Sequence, residues 1–465
     1  MAPTIERTPV PGLLVVRKPV HRDERGWFTE AWQRETMTAL GLPDFGPIQH
    51  NVSHNATRGA TRGIHAEPWD KLVTVVHGSV FGAWVDLREG AGFGRTFTLE
   101  VDESVAVFVP RGVGNSYQAL ADDTVYSYLV NEHWRPDLTY PALALDDPST
   151  AIDWPIPLAQ SGSAGAQISD KDRRNPRLEE VTPFAPRPVL VLGGAGQIGR
   201  ALLRLLPHAV APGRDELDLA DPRSVAAYDF SAHDVIINAA AMTAVDHAES
   251  DDGGRLAWRL NAHLPAHLAR RAVAERFTLV HYSSDYVFDG SVEVHDEDEA
   301  FAPLGTYGTT KGAGDLAVSV APRHYLLRTS WVVGDGANFV ATMARLAREG
   351  VSPSVVDDQV GRLSFAAEIA AATVHLLAGQ APFGTYDVTQ SGEPLSWAQI
   401  AREVFAACGR DPGDVTGVST EQYSAGRVVS ARPRHSTLSL AKLAQTGYEP
   451  ADQLDALRAH LERMA

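Results

Sequence analysis

Tyr307-x-x-x-Lys311 spaces a phenol and an ammonium by four residues, which on a helix brings them to one face. A cation beside a phenol favours the tyrosinate, lowers the phenol's pKa and lets it exchange a proton near neutral pH. About twenty residues earlier an expected strand ends in Ser283-Ser284-Asp285, where a hydroxyl would stand at the carboxyl edge of a sheet. Ser284 can there hydrogen-bond a carbonyl oxygen as hydride reaches its carbon. Gly193, Gly196 and Gly199 form G-x-x-G-x-x-G between the short apolar run 189–192 and the helical pattern ALLRLL. The first glycine permits a tight turn, the second lets the backbone approach a pyrophosphate, and the third lets helix and strand pack closely. The helix N-terminus then faces the phosphates. Arg214, in Gly213-Arg214-Asp215 after an expected short strand, either pairs with an adenosine 2′-phosphate, favouring NADPH, or is a solvated surface arginine. Asn238-Ala239-Ala240-Ala241 closes another strand with side chains small enough for a cofactor to lie against the sheet edge.

The first half offers less local chemistry. His65 lies in Thr61-Arg62-Gly63-Ile64-His65, shortly before Lys71. A metal-binding barrel of the cupin type would want His-x-His and a later Pro-x-Gly-x-x-His. His65-Ala66-Glu67 and the segment from Pro110 to Asn115 each lack a histidine, so no bound metal is expected. The acidic run 296–299 reads as a solvated face.

These residues need two kinds of scaffold. The chain has 465 residues, enough for roughly three domains or two large ones. Up to about residue 160, short β-branched and aromatic runs (Lys71–His77, Val80–Asp86, Val105–Val109, Thr124–Val130) alternate with Gly, Pro and Asp turns. That grammar predicts an antiparallel sandwich or barrel, with one helix near 34–40. From 189 onward strands alternate with helices (strand 234–238, helix 260–277, strand 278–283), predicting a parallel, doubly wound sheet. Between them 161–188 is rich in Ser, Gly, Pro and charge, so the boundary is set at 185/186. Hydrophobic residues at 44% and charged residues at 21% exclude a disordered or fibrous chain. With 41 Lys plus Arg against 58 Asp plus Glu, the net charge of −17 argues against nucleic acid and anionic membrane as partners. A single cysteine, Cys408, favours a reducing compartment, and the apolar stretch Ala366–Ala378 is too short to span a bilayer. A cytoplasmic protein is expected.

The series VLGGAGQIGRAL, NAAAMTAVDHAES, HYSSDYVFDG, PLGTYGTTKGAGD, LRTSW, GANFVATMARLA, DDQVG and RPRHSTL resembles the dTDP-4-dehydrorhamnose reductases, extended short-chain dehydrogenase/reductases with a Rossmann fold and a small substrate-binding part. The resemblance implies Tyr307 as proton donor, Lys311 as its ribose-binding partner, and Ser284 and Asp285 at the substrate carbonyl. It further implies that Gln197, Ile198, Asp218, Leu219, Ala240, Ala241, Thr243 and Tyr282 line an NADPH site, leaving NADH open, and that Val245 and Trp331 touch the sugar. Leu363-Ser364 replaces the Pro-Thr usual in relatives. In the first half DERGWFTE, QHNVS, TRGIHAE, KLV, VPRG, AIDWP and ISDKD are similar to dTDP-4-dehydrorhamnose 3,5-epimerases, metal-free dimers of cupin (jelly-roll) fold. This likeness implies His65 as base, Asp172 orienting it and Lys71 at the enolate oxygen of a dTDP-linked 4-keto sugar. It implies substrate contacts from Arg25, Glu30, Gln49, Asn51, Arg62 and Lys171, and a homodimer. The family's proton-donating tyrosine falls on Trp134, which cannot act as an acid, and its histidine after Pro-x-Gly falls on Asn115. Three readings stay open: His133 or water as substitute acid, inversion of one carbon only, or binding without catalysis. The expectation is thus a reductase coupled to C3/C5 epimerisation, with a pure ketoreductase or a nucleotide-sensing scaffold as rivals.

Overall fold

The computed structural model describes residues 2–134, 139–158, 165–379, 381–426 and 429–464. They fall into two compact units, Met1–Pro186 and Arg187–Ala465. Residues 161–164 of the expected linker lie outside the described residues. Much of the rest is not a linker at all, because Gln167–Ile168 pairs with Ala60–His65 and the Phe184 N–H donates to the Leu87 carbonyl at 2.7 Å. Ile168, Leu178 and Val181 supply the apolar contacts, packing with Val85 and Leu87.

The first unit is a sandwich of two mostly antiparallel sheets. Its six-stranded sheet runs Thr4–Arg7, Leu14–Arg17, Val105–Val109, Lys71–His77, Thr124–Val130, Gln49–Asn55. The five-stranded sheet runs Gln167–Ile168, Ala60–His65, Val113–Ala119, Val80–Asp86, Thr96–Val101. The run KLVTVVH is apolar without alternation because both its faces are covered. Val73 and Val75 point into the sandwich with Val107, Trp84 and Tyr126, while Leu72 packs outward against Phe108 and Met37. Met37 comes from helix Arg34–Ala39, N-capped by the Gln33 side chain and ended at Gly41, whose φ of 99° suits glycine.

The second unit holds a parallel sheet ordered Leu190–Leu192, Val235–Asn238, Thr278–Ser284, His324–Thr329, Gly384–Asp387. The strand expected before Gly213 is reduced to a single bridge, Val210 to Leu190. It lies on the other side of Leu190, so the winding reverses there and leaves a crevice at the strands' carboxyl ends. The helix expected at 260–277 starts earlier. Asp251–Ala257 continues through a π turn, Trp258–His263, into Leu264–Glu275. In that turn Asn261 bonds Met242 through both side-chain ends and reaches Thr310, tying the crevice loop to helix Thr306–Ser319. Short strands and the helices Phe339–Glu349, Trp397–Ala407 and Gln453–Met464 form the smaller part around their own apolar core. Among the described residues no helix is long and apolar enough to cross a membrane.

Candidate active sites

Ser284 ends its strand at the crevice, and Tyr307 stands on the first turn of Thr306–Ser319. The Ser284 hydroxyl donates to Asp285 Oδ1 at 3.0 Å, accepts from the Tyr286 N–H at 3.2 Å, and hydrogen-bonds Tyr307. One turn on, buried Lys311 donates through Nζ to the Tyr282 carbonyl. Spacing alone predicts a Tyr307 phenol lowered by Lys311, whereas in the structure the shift runs upward. Burial drives the phenol well above its usual value. The Ser284 hydrogen bond opposes that rise, while the carboxylates of Asp285 and Asp315 add to it. Burial likewise lowers Lys311 to about 8, against the pull of Asp315, and lifts Asp285 to about 6, against hydrogen bonds from Ser436 and Ser284.

A cavity of about 550 Å³ opens over these groups. Gly196, Gln197, Ile198, Ala240, Ala241 and Thr243 line it, as do Val245, Tyr282, Ser284, Asp285, Tyr307, Lys311 and Trp331. Gly193 and Gly199 act from behind the wall. A Cβ on Gly193, whose φ is 77°, would stand 2.7 Å from the Ala240 nitrogen, and one on Gly199 only 2.2 Å from the Gly193 carbonyl oxygen. Asp218, Leu219 and Arg214 are not among the lining residues. Arg214 has a side chain 80% exposed, 3.6 Å from Asp218, so its solvated alternative describes what is seen. A nicotinamide dinucleotide fits this cavity on two observations. The glycine turn delivers helix Gln197–Leu205 by its N-terminus, and the buried Gln197 Oε1 has no protein partner. Sequence reasoning missed Arg200, which also lines the cavity, and Trp397, stacked on Trp331 at 3.7 Å between ring centroids. Trp397 and Tyr286 also line a second cavity of about 660 Å³, with Gln359, Ser430 and Arg432. Arg432 is held by both oxygens of Asp246, at 2.9 and 3.0 Å.

The sandwich has its own cavity, about 420 Å³, lined by His65, Asp172, Lys71, Arg62, Gln49 and Asn51. His65 Nε2 lies 2.8 Å from Asp172 Oδ1. A carboxylate only accepts, so Nε2 carries the proton and the Nδ1 lone pair is left as base. Burial pushes Asp172 up, but hydrogen bonds from His65, Ser169 and Gly63 outweigh it and hold the carboxyl below its usual range. Lys71 is ion-paired with Glu67, both side chains being largely buried. Arg25, Glu30 and Lys171 do not join them: all three are exposed, and Arg25 pairs with Asp23 on the hairpin His21–Phe28. Trp134 stands at the rim, 55% exposed, and its backbone N–H donates to Gln49 Oε1 at 3.2 Å. Asn115 is occupied structurally, accepting from Trp84 at 2.9 Å and from Tyr126 at 3.2 Å. Among the described residues no group of three or more His, Cys, Asp or Glu could hold a metal ion.

Four tyrosines unnoticed in the sequence, Tyr117, Tyr126, Tyr128 and Tyr140, also line this cavity. Tyr128 lies in register with Val73 and Asn51 and 5.4 Å from Lys71 Nζ, so it faces inward from the six-stranded sheet. Burial first, and the charge of Glu67 second, push its phenol up to about 12. The clue was the period-two spacing of Tyr126 and Tyr128 on one strand face.

The second unit is thus a Rossmann-type dinucleotide-binding unit with a Ser-Tyr-Lys site, and the first a jelly-roll sandwich with a His-Asp pair in its mouth. The family model described as dTDP-4-dehydrorhamnose 3,5-epimerase matches residues 7–180, and that described as RmlD substrate binding domain matches 187–465. The protein RmlC homolog of Streptococcus pyogenes serotype M6 is 43% identical over 38% of this chain and 90% of its own length. The dTDP-4-dehydrorhamnose reductase of Streptomyces griseus is 39% identical over 58% of this chain and 91% of its own. A crystal structure of dTDP-4-dehydrorhamnose reductase from Bacillus anthracis in complex with NADP is 29% identical, covers 60% of this chain and all of that one, and has a TM-score of 0.55. The chain belongs to both families, as a fusion of an epimerase-family unit with a reductase-family unit.

Proposed function

We propose that this chain reduces the C4 ketone of a dTDP-4-keto-6-deoxy-L-hexose with NADPH, and that its first unit supplies that ketone by epimerisation at C3 and C5. The observation that carries the reduction is the Ser284–Tyr307–Lys311 group, set where two cavities share Tyr286 and Trp397. That shared wall suits a sugar ring, with its nucleotide in the cavity holding Arg432. When bound, NADPH supplies the hydride for the ketone carbon. Ser284 orients the ketone oxygen, and Tyr307, protonated at neutral pH because burial raises it, gives that oxygen its proton. Lys311 holds positive charge beside them.

Epimerisation needs a base on one face of the sugar and an acid on the other. His65 comes from the five-stranded sheet and Tyr128 from the six-stranded one, so the pair meets a ring from opposite sides. His65 would take the acidic proton next to the ketone, Lys71 would steady the enolate oxygen, and Tyr128 would return a proton on the far face. Tyr128 replaces Trp134 and His133 as candidate acid. Tyr140 is less suited, since its ring lies beside His65 at 6.2 Å. A homodimer would cover the outer strand Gln49–Asn55, where Val52 is 62% exposed. Fusion keeps the epimerised ketone near the reductase.

The test is ketone-dependent consumption of NADPH by the purified chain given dTDP-4-keto-6-deoxyglucose. Consumption with formation of a dTDP-deoxyhexose is expected. Absence of consumption, even when an independent epimerase is added, would overturn the proposal.

A further inference from the structure

Lys311 is fully buried, and its ammonium donates to the Tyr282 backbone carbonyl. The next group behind it is Asp315, one turn further along the same helix face and 1% exposed. Asp315 Oδ2 accepts from Arg328 Nε at 3.2 Å, and the Ser283 hydroxyl on the neighbouring strand also faces this carboxylate. Arg328 is itself fixed, lying over the rings of Phe288 and Phe301 at 5.2 and 5.1 Å and donating to the Glu297 carbonyl at 3.0 Å. A row of buried charges therefore runs from the crevice into the unit: Lys311, Asp315, Arg328.

We propose that Asp315 is a positioning residue for the reduction, its buried carboxylate keeping Lys311 charged while Arg328 keeps Asp315 in place. The proposal rests on the reductase reading above. Every group facing the row fits it. On the same helix Tyr307 is a neutral phenol. On strand Thr278–Ser284, His281 is fully buried and held neutral by that burial and by Lys311. Asp285 lies at the strand's end. On the far side, Asp387 and Glu297 face Arg328, and burial raises Asp387 strongly. Asp315 is thus the charge that opposes the loss of the Lys311 proton on burial. Without it, the ammonium would be a buried charge lacking its counter-ion.

The chain has five lysines, so ¹³C labelling at lysine Cε gives few enough NMR signals to follow Lys311 directly, with Lys311→Arg assigning its signal. In the wild type the signal should titrate near 8. In Asp315→Asn it should titrate about one to three pH units lower, and in Asp315→Glu it should stay near the wild-type value. The basic limb of the reduction's kcat–pH profile should move down with it. Should Arg328 without its carboxylate keep Asp315→Asn from folding, the double variant Asp315→Asn/Arg328→Gln removes both charges of that pair and is expected to show the same fall. An unchanged Lys311 titration in whichever neutral variant folds would overturn the proposal. Lack of reduction by the wild type, with the titration still dependent on Asp315, would instead count against the reductase reading alone.

Discussion

Both cavities bury a lysine beside a phenol, yet they arrange its counter-charge differently. In the sandwich, Lys71 meets Glu67 directly at the cavity wall. In the Rossmann-type unit, Lys311 has its carboxylate one turn behind, away from the cavity, and spends its hydrogen bond on a backbone carbonyl. In the proposed epimerisation Lys71 faces an enolate oxygen and shares its charge with Glu67. A lysine set beneath a proton donor needs its counter-ion out of the way. In both, burial raises the phenol, so each tyrosine is protonated at neutral pH and suited to giving a proton.

That comparison can be broken by separating the two chemistries. Tyr307→Phe should lower the kcat for reduction by about 10³–10⁴-fold, leave NADPH affinity within a few-fold, and leave solvent exchange at the sugar untouched, as read by stopped-flow and NMR. His65→Asn should do the reverse. Exchange at C3 and C5 should fall about 10³-fold, while a pre-epimerised ketone is still reduced at the wild-type rate. Loss of both activities in either variant would contradict independent sites. Tyr128→Phe should cost about 10²-fold in exchange, whereas Trp134→Phe should cost less than about threefold; a Tyr128→Phe variant with wild-type exchange would remove Tyr128 from the acid's role. Smallest of all, Arg214→Ala should change the KM for NADPH by no more than about fivefold, because an exposed pair with Asp218 is worth at most about 1 kcal/mol.

How much of this was legible depends on distance along the chain. Tyr307 and Lys311 share one helix, and Gly193, Gly196 and Gly199 share one turn, so spacing alone located them. The same spacing misjudged the phenol's pKa, because burial and Asp315 are tertiary facts that no four-residue motif contains. In the sandwich the site is assembled from several strands and a segment near residue 172 that reads as linker. Its pieces are visible through family likeness, while Tyr128 looks like an ordinary strand residue. Arg25, Glu30 and Lys171 were carried over from the same likeness and stand exposed in this chain. The expected strand before Gly213 shrank to one bridge because His208-Ala209-Val210-Ala211-Pro212 offers little β-branched sequence and a proline that cannot continue a ladder.

The central claim, that one chain performs both steps, is tested most directly by NMR of the purified protein with dTDP-4-keto-6-deoxyglucose in deuterated water, before and after NADPH is added. Deuterium is expected to enter C3 and C5 without NADPH, and dTDP-L-rhamnose to form once NADPH is supplied. Absence of exchange, with reduction only after a separate epimerase is added, would contradict it and leave the chain a reductase carrying an inactive sandwich.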